Sequence, residues 1–358
     1  MFWDVFYSIL LLLTGIGVFL VGIVKFSNLL QASGNDKVKD TFRKMGNNRL
    51  VGFGIGTGAT TVIQSSTATT VIVVSLVNAG IMTLPQSTAV IFGANVGSAL
   101  SNMLLSMSAF SFSRFFMFTV FVGAMIKIFT QNKRANTISD ILMSFGIIFV
   151  GLFVMGQAFA GSDYLTNGFA FMIEAINFPL LLLLLGFMIT AIIQSSTAAI
   201  AIFITLAGVT VYDDLGNNIG TLLEFTDIMY LVIGTMLGTT LTTLISSIPS
   251  NRNAKRAAIK HLLFNVFAAL IFIPIIWPLQ GIIAPWFESL IPDPIWQISV
   301  FSFVVKLGTA LILLALIKPF NNLVHIIIKD APEQIHIDEL EEIQCLDSGH
   351  ASGFTDKF

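Results

Sequence analysis

The sequence predicts an all-α polytopic membrane protein made of two inverted-topology repeats, each with a re-entrant helical hairpin and broken helices. Three observations predict this fold class. Hydrophobic residues make up 55% of the chain and charged residues 11%, whereas an ordinary soluble domain carries roughly 25% charged residues. The word Gln-Ser-Ser-Thr occurs twice, at 64–67 and at 194–197. Basic residues cluster between the apolar stretches, and these clusters fall on one side of the membrane if two of the stretches fold as hairpins.

The repeated word lies inside a longer duplicated segment. Residues 60–70 read TTVIQSSTATT and residues 190–200 read TAIIQSSTAAI, and seven of these eleven positions are identical. Burying hydroxyl and amide groups among apolar residues is costly unless a partner satisfies them. We therefore interpret both words as functional-site candidates. Two further pairs of segments match between the halves: GVFLVG at 17–22 with GLFVMG at 151–156, and GANVG at 93–97 with GTMLG at 234–238.

Apolar runs near the roughly 20 residues that cross a bilayer predict the spans. The first run follows Asp4 and lacks a basic leader, so we expect a retained span and not a signal peptide. The predicted spans are 5–27, 84–105, 112–130, 140–160, 228–248, 261–283 and 295–317.

Two longer apolar blocks, 50–79 and 176–207, each contain one QSST word. If block 50–79 crossed the membrane once, Lys133 and Arg134 would lie outside. If each block enters, turns at its word and returns, every basic cluster is cytoplasmic except Arg114, as the positive-inside rule requires. The first hairpin then opens to the cytoplasm and the second to the outside, which is typical of secondary transporters.

The alternative is that both blocks are long tilted helices whose small and hydroxyl residues only pack against neighbours. That arrangement breaks the charge pattern. With hairpins, the first repeat is 1–137 and the second is 138–329, including a final span. An acidic tail at 330–358 follows, which we expect to be cytoplasmic together with the basic loops. The protein is then a multi-pass protein of the cell (inner) membrane.

Each hairpin tip combines features that suit an anion and a cation. The arm after the turn presents free N–H groups and a positive helix end, and Ser66, Thr67, Ser196 and Thr197 are expected N-caps there. Their hydroxyls suit an oxyanion. The arm before the turn presents free carbonyls, which with Ser and Gln oxygens suit Na⁺. Neither tip carries a charged residue, so a bound anion needs a co-bound cation, which predicts cation–anion symport.

The predicted ligands follow from this chemistry. The candidate phosphate-type anion ligands are Gln64, Ser65, Ser66, Thr67, Gln194, Ser195, Ser196 and Thr197. The candidate sodium ligands are Gln64, Ser65, Asn95, Ser98, Gln194, Ser195, Thr239 and Thr240. Asn95 and Ser98 in the first half, and Thr239 and Thr240 in the second, lie where flanking glycines are expected to break the helix. The alternative is that these glycines only allow close helix packing.

Other patterns exclude several functions. Cys345 is the single cysteine, so no disulfide framework or thiolate metal site is expected. No basic tract suggests nucleic-acid binding, and no nucleophile–base pair or metal motif suggests an enzyme. The glycines of 52–58 resemble a nucleotide loop only superficially, since no strand precedes them. His261 is interpreted as a structural hydrogen-bonding group.

The residues described above closely resemble the type II sodium-dependent phosphate cotransporter family, bacterial branch. That family is marked by paired QSS words in inverted repeats, each followed by a G-x-N-x-G stretch, here GANVG and the altered GTMLG. His261 to Asn265 is similar to the family's H-x-x-F-N element. The resemblance implies sodium-driven phosphate uptake by alternating access, at a site between the two tips. Na⁺ is then the coupling ion, and no cofactor is expected.

Two positions depart from the family pattern. Met236 stands where the second repeat usually has Asn, and a thioether is a poor Na⁺ ligand. Lys306 lies near the middle of the final span, where a lysine costs about 2.5–3.5 kcal/mol on insertion scales and therefore faces the protein interior. Its ammonium group either substitutes for a cation or attracts the anion, or it is a structural group bonded to carbonyls.

Three other readings remain open. In the first alternative, the chain is a transporter of another anion, such as sulfate or a dicarboxylate, although a dicarboxylate favours a basic residue in the site. In the second, it is a non-transporting membrane scaffold, which gives no reason for polar words in both halves. The third alternative, a membrane enzyme, has the least support. The sequence leaves the oligomeric state and the number of Na⁺ ions undetermined.

Overall fold

The computed structural model describes residues 2–44, 48–109, 114–176, 178–212 and 218–329, and these residues are mostly helical. The helices are α1 Phe2–Lys44, α2 Arg49–Ile63, α3 Ser66–Asn78, α4 Leu84–Ser106, α5 Arg114–Phe129, α6 Lys133–Ala160, α7 Asp163–Ala175, α8 Pro179–Ile193, α9 Ser196–Ala207, α10 Phe225–Gly238, α11 Thr240–Ser247, α12 Arg252–Leu290, α13 Pro294–Ala315 and α14 Ile317–Ile327. A 3-10 turn, Met107–Ala109, follows α4, and two short strands, β1 Thr210–Tyr212 and β2 Asn218–Thr221, follow α9.

Six helical stretches of the described residues are long and apolar enough to cross a membrane. They are Trp3–Ala32, Leu84–Ala109, Lys133–Ala160, Phe225–Ser247, Arg252–Leu290 and Pro294–Ala315. Each overlaps a predicted span. Helix α5 covers the remaining predicted span but has 16 residues, or about 24 Å. The chain is therefore an all-α membrane protein, as the composition predicted.

Both QSST-containing blocks fold as helix–turn–helix hairpins. Helices α2 and α3 form the first hairpin, and α8 and α9 form the second. In each hairpin the turn consists of a Gln and the Ser after it, the first two residues of the repeated word. The long tilted helices considered as the alternative are thus excluded.

The first arm of each hairpin packs closely on the span that follows the hairpin. A Cβ atom added to Gly93 of α4 would overlap the carbonyl oxygen of Phe53 in α2, and one added to Gly234 of α10 would overlap the carbonyl oxygen of Leu183 in α8. Gly56 of the first arm likewise abuts the Val90 backbone. The glycines let the two helix backbones touch. The same contact between a hairpin arm and the following span occurs in both halves.

The open ends, or mouths, of the two hairpins lie at opposite ends of α4. Residues 79–83 alone separate the end of α3 from the start of α4, so the first mouth is beside that start. At the other end of α4, Ser106 donates a 3.0 Å hydrogen bond to the carbonyl of Ile295. A Cβ added to Gly208, just past α9, would lie 3.3 Å from the Ile295 side chain. The second mouth is therefore beside the end of α4.

The first helices of the two halves, α1 and α6, pack against each other over a long interface. Gly15 lies against Met155, Gly22 against Ile148, and Gly151 against the Phe19 backbone. Because the contacts along α6 run in the opposite order to those along α1, the two helices are antiparallel.

Several elements differ from the sequence-based expectations. Helix α1 continues to Lys44, well beyond the end of the predicted span at residue 27. Helix α7 occupies 163–175, where neither a span nor a hairpin block was predicted; Ser162 caps it and its buried face includes Leu165 and Ile173. A search for 20-residue apolar runs misses such a short amphipathic helix. The strands β1 and β2 pair antiparallel, and their β-branched Thr210 and Val211 favour that state.

The expected helix breaks are only partly present. Helix α4 runs without interruption through GANVG, so the break predicted there is wrong: its glycines serve close packing against α2. In the second half, Thr239 alone interrupts the helix between α10 and α11, and its backbone angles stay right-handed helical. The acidic tail at 330–358 and the acidic residues Asp213 and Asp214 lie outside the described residues.

Candidate functional site

The two hairpin turns have the same backbone conformation. Gln64 has φ 60° and ψ 22°, and Gln194 has φ 58° and ψ 22°. Among the described residues these are the non-glycine positions with positive φ. Side chains disfavour this left-handed region, and such strained residues concentrate at functional sites. The N–H of each Gln donates a 2.7 Å hydrogen bond to the threonine carbonyl four residues earlier, Thr60 or Thr190, which closes the arm.

The residue after each Gln is the N-cap of the second arm. Ser65 and Ser195 have extended backbones, and their Oγ atoms accept 3.2 Å hydrogen bonds from the N–H groups of Ala68 and Ala198. The prediction that Ser66, Thr67, Ser196 and Thr197 are the N-caps is therefore wrong by one position. The left-handed Gln ends the first arm so abruptly that the next residue already starts the second.

The position of the N-cap determines which donor groups remain available at each tip. The first N–H groups of a helix have no acceptor within the helix. In the first hairpin Ser65 satisfies Ala68, so the N–H groups of Ser66 and Thr67 remain at the tip with the positive end of the helix dipole. The Ser66 and Ser196 hydroxyls are no longer needed as caps.

All eight residues of the two QSST words line a single cavity of about 180 Å³. The words are 130 residues apart in sequence, so the fold brings the two tips together, as predicted. Because liquid water occupies about 30 Å³ per molecule, the cavity has room for a tetrahedral oxyanion with a few waters or small ions. Its other lining residues are Ile23, Val24, Ser27, Asn28 and Thr239.

Two further contacts build the cavity wall. Thr239, at the interruption between α10 and α11, lies with its Oγ1 3.4 Å from Oγ1 of Thr67, so the second half contacts the first tip. Ser27 of α1 donates a 3.0 Å hydrogen bond to the carbonyl of Ile63, the last residue of α2. This contact holds α1 against the first tip.

Sequence reasoning missed Ser27 and Asn28 as lining residues. They lie at the end of the predicted first span, where polar residues are usual. The only signal was two adjacent polar residues in a helix that continues beyond them. Because duplication was the guide to the site, a residue contributed by one half alone escaped it.

The cavity lining contains no Lys, Arg, His, Asp or Glu. Among the described residues, no cluster of His, Cys, Asp and Glu could hold a metal ion by such side chains. The ligands that the cavity offers are hydroxyls, amide groups and backbone atoms. Among these lining residues, the groups available to an ion are therefore dipoles and not charged side chains.

Three predicted sodium ligands, Asn95, Ser98 and Thr240, are not among the residues that line this cavity. All three are buried within the protein. Asn95 lies 3.5 Å from the Nδ2 atom of Asn265, and Ser98 accepts a hydrogen bond from Lys306. The other five predicted sodium ligands do line the cavity: Gln64, Ser65, Gln194, Ser195 and Thr239.

A second, larger cavity of about 1130 Å³ lies among α5, α6, α7 and α9. Arg114, Gln157 and Asp163 supply polar groups to its wall, and the end of α9 at Gly208 also lines it. It contains neither QSST word, so the smaller cavity is the candidate binding site. The larger one lies at the end of the molecule where α4 ends.

His261 and Lys306 occupy the positions that the sequence suggested. His261 is fully buried and its Nδ1 lies 3.2 Å from the Thr243 hydroxyl, in keeping with a structural hydrogen bond. Lys306 is buried in α13 and faces the protein interior, as predicted from the cost of a lysine at membrane depth.

A membrane protein of paired helix hairpins, whose tips enclose a polar cavity, has the architecture of a transporter. The Na⁺/Pi-cotransporter family model matches residues 18–157. The uncharacterised protein YqeW of Bacillus subtilis is 26% identical over 310 residues, which is 87% of this chain and 95% of that protein. Both comparisons confirm the resemblance described above: the chain is similar to the Na⁺/Pi-cotransporter family, which is a family of transporters and not of enzymes.

Two other relatives carry functional names. The putative inorganic phosphate export protein YjbB of Escherichia coli is 27% identical over 282 residues, which is 78% of this chain and 48% of that protein. The sodium-dependent phosphate transport protein 2A of Ovis aries is 27% identical over 99 residues, which is 27% of this chain and 16% of that protein. The chain thus spans about half of the Escherichia coli relative. No solved structure matches the chain.

Proposed function

We propose that the protein is a sodium-coupled symporter that imports inorganic phosphate through the cell membrane, with its binding site between the two QSST tips. The observation that carries the proposal is the cavity lined by all eight residues of the duplicated word without a charged side chain. The family, and the relatives named for phosphate transport, support the choice of phosphate.

Different groups of each tip bind the anion and the cation. The N–H groups of Ser66 and Thr67, their counterparts in the second tip and the adjacent hydroxyls donate to phosphate oxygens. The Gln and Ser oxygens, with the carbonyls that end α2 and α8, bind Na⁺. Because the lining has no cationic side chain, Na⁺ offsets the charge of the phosphate. Binding of one ion therefore favours binding of the other, and this coupling makes the protein a symporter.

Alternating access is supported by the placement of the hairpins. We propose that both hairpins are re-entrant and that the halves form an inverted repeat. The hairpin mouths lie at opposite ends of α4, whose 23 residues extend about 34 Å, enough to cross a bilayer core of about 30 Å. Movement of one hairpin then opens the cavity to one side, and movement of the other opens it to the opposite side.

The basic end of the bundle gives the orientation. Lys127 of α5 lies 2.9 Å from Asp140 of α6, and Lys25 of α1 lies 3.9 Å from the same residue. These side chains join the end of α5 and the first turns of α6 to the middle of α1, near the basic Lys133 and Arg134. By the positive-inside rule we assign this end to the cytoplasm, with the protein in the inner membrane.

The direction of net transport follows the ion gradients. An inward Na⁺ gradient drives import through a symporter, and this is our proposal. The name of the Escherichia coli relative favours phosphate export as the second candidate. Both directions use the same site, so they differ in the coupling ion and in the gradient that drives the cycle.

The test is uptake of radiolabelled phosphate into proteoliposomes that contain the purified protein. Uptake should require an inward Na⁺ gradient and should stop when choline replaces Na⁺. Sulfate and a dicarboxylate, supplied in excess, should not compete. Absence of Na⁺-dependent uptake removes the proposal, phosphate efflux coupled to another ion favours the exporter, and no transport of any kind favours a scaffold.

The Ser66→Ala and Ser196→Ala variants link this activity to the tips. Both hydroxyls line the cavity and are nearly buried, at 5% and 7% exposure. Losing one hydrogen bond to a charged ligand costs about 1.5–3 kcal/mol, so phosphate affinity should fall by roughly one to two decades. Ser75→Ala is the matched control, because it removes an exposed hydroxyl of α3 that bonds only the Val71 carbonyl. Equal kinetics in all three variants would show that the tip hydroxyls only pack helices.

A further inference from the structure

We propose that the ammonium group of Lys306 is a resident cation at one of two equivalent cation positions beside the hairpin tips. The transporter then couples to one Na⁺ fewer than its duplicated architecture provides for. The inference rests on the proposed symport and assigns a coupling role to a residue outside both QSST words.

Lys306 is held by a neutral partner. Its side chain is 4% exposed, and its Nζ donates a 2.8 Å hydrogen bond to Oγ of Ser98 in α4. Within the described residues this is the hydrogen bond that the ammonium group makes, and no carboxylate pairs with it. A buried charge without an opposite charge is costly and marks a functional site in a membrane protein.

The surroundings of Lys306 are rich in oxygen. Asn95, Ser98 and Asn102 follow one face of α4, at helical spacing of three and four residues. Across from this face, Asn265 of α12 contacts Asn95, and Ser302 of α13 contacts Asn102. All of these residues are buried. We call Asn95, Ser98, Asn102, Asn265, Ser302 and Lys306 the α4 polar cluster.

Two oxygen atoms of the α4 polar cluster have no hydrogen-bond partner, Oδ1 of Asn102 and Oδ1 of Asn265. Buried polar atoms without a partner are rare in proteins. Side-chain and backbone oxygen atoms are the ligands that small hard cations prefer. Because Nζ of Lys306 already binds Ser98, its positive charge disfavours Na⁺ at the same oxygen.

Comparison of the two halves shows what the ammonium group replaces. The matched glycines, Gly97 in α4 and Gly238 in α10, make Ser98 the counterpart of Thr239. Thr239 lines the tip cavity, and its hydroxyl lies 3.4 Å from that of Thr67 in the opposite hairpin. Ser98 instead holds Lys306 and is absent from the cavity lining. In the second half, Thr239 offers its hydroxyl to the tip cavity. At the equivalent position in the first half, Ser98 binds the ammonium group of Lys306 instead.

Lys260 provides a matched control. It is as deeply buried as Lys306 and is also bonded to neutral groups, with Nζ 2.6 Å from the Leu84 carbonyl and 2.6 Å from Oγ1 of Thr88. These partners lie at the start of α4, away from the α4 polar cluster. Replacing Lys260 therefore removes a buried lysine without touching the proposed cation position.

The experiment measures phosphate uptake into proteoliposomes as a function of Na⁺ concentration for wild type, Lys306→Asn and Lys260→Asn. Lys306→Asn removes the charge and leaves room and an oxygen for Na⁺. Its uptake should rise more steeply with Na⁺, with a Hill coefficient greater by about one. Uptake at low Na⁺ should be roughly tenfold below wild type and should recover at high Na⁺. Lys260→Asn should keep the wild-type curve shape.

A binding measurement gives a readout that does not require transport. A ligand that binds only the folded state raises its melting temperature, so replacing choline with Na⁺ should stabilise Lys306→Asn in detergent more than it stabilises wild type. Lys306→Gln is made beside it, because its longer amide fills more of the space that the lysine leaves. The measurements are made on whichever of these two variants folds.

The outcomes separate the two proposals. Wild type without Na⁺-dependent phosphate transport refutes the proposed function itself. If wild type transports, a Lys306 variant that folds and keeps the wild-type Na⁺ curve overturns the coupling role. An equal change of the Na⁺ curve in Lys260→Asn also overturns it, because the effect would then follow from losing any buried lysine.

Discussion

At the scale of single residues, the glutamine at each hairpin turn combines a strained backbone with a polar side chain. A left-handed conformation suits glycine, and a tight turn needs no amide. Glutamine at both turns therefore points to a use for its side chain, since strain of this kind persists where the surrounding structure fixes it. In the first turn, Nε2 of Gln64 donates to the carbonyl of Thr61, which leaves the amide oxygen for the cavity.

Two substitutions of Gln64 test whether the site uses its amide group. Gln64→Gly should fold with a melting temperature close to that of wild type, because glycine accepts positive φ, but it should transport poorly. Gln64→Val should lose stability, because a β-branched residue is strained at φ 60°, at a cost of about 1–3 kcal/mol. Thermal unfolding in detergent and phosphate uptake are measured on both.

Either of two results would contradict the prediction. Normal uptake by Gln64→Gly would show that the amide is not part of the site. A Gln64→Val protein as stable as wild type would show that the turn is not left-handed. The Gln194 pair of variants repeats the test in the second half, where the backbone angles are nearly identical.

At this scale the sequence was a good guide wherever the two halves repeat each other. The duplicated words identified the lining residues of both tips. The position of the N-cap was missed by one residue because it depends on the left-handed Gln before it, which composition does not reveal. Ser27 and Asn28 were missed because they lie on α1 and reach the site only through the tertiary packing of α1 on the first tip.

At the scale of helices, glycine allows each hairpin to lie directly on the next span. Where a Cβ atom would overlap a backbone carbonyl, the two helices cannot approach unless the residue is glycine. The matched positions, Gly93 in the first half and Gly234 in the second, both meet this condition. The contact fixes the height of each tip relative to its span.

Gly93→Ala and Gly234→Ala should therefore each destabilise the protein. The added methyl group forces the hairpin away from its span, and overpacking of this kind costs about 1–3 kcal/mol. Gly54→Ala is the control on the same helix α2, because Gly54 is exposed and its Cβ would meet no atom within 4 Å. Alanine is the better helix former, so Gly54→Ala should unfold at or above the wild-type temperature. A lower melting temperature for Gly54→Ala than for Gly93→Ala would contradict this account of the packing.

The break of each block at its QSST word was predictable, because a block that turns there keeps the basic residues on one side. Charge bias carries no information about short elements, so helix α7 and the strands β1 and β2 were not expected. The continuous helix α4 was missed for a different reason. Glycines at 93 and 97 read equally well as a helix break and as a packing surface, and the neighbouring helix α2 decides between them.

At the scale of the whole molecule, the opposite placement of the hairpin mouths predicts opposite accessibility. In a Cys345→Ser background, Ala79→Cys marks the first mouth and Gly208→Cys marks the second. Both positions are exposed, and both have right-handed backbones that accept a side chain. A membrane-impermeant thiol reagent should label Cys at 79 only from the cytoplasmic side and Cys at 208 only from the outside.

The measurement uses right-side-out and inverted vesicles side by side, with the cysteine-free protein as the blank. Labelling of both positions from one side would mean that the hairpins open in the same direction, and the inverted-repeat proposal would fail. The six candidate spans alone do not decide this, because length and hydropathy carry no direction. Direction comes from the charges, and that part of the topology stays a prediction until it is measured.

The antiparallel packing of α1 on α6 has a consequence for how such a chain can arise. Each half meets the other with its own first helix, and Gly15 and Gly22 of α1 and Gly151 of α6 lie at this shared surface. An interface in which equivalent surfaces meet is the kind that two identical subunits form about a two-fold axis. A half-length ancestor inserted in both orientations would therefore dimerise through the same surface. Its two copies would bring their tips together before any gene fusion, and fusion would then allow Ser27 and Lys306 to evolve in one half without a counterpart in the other.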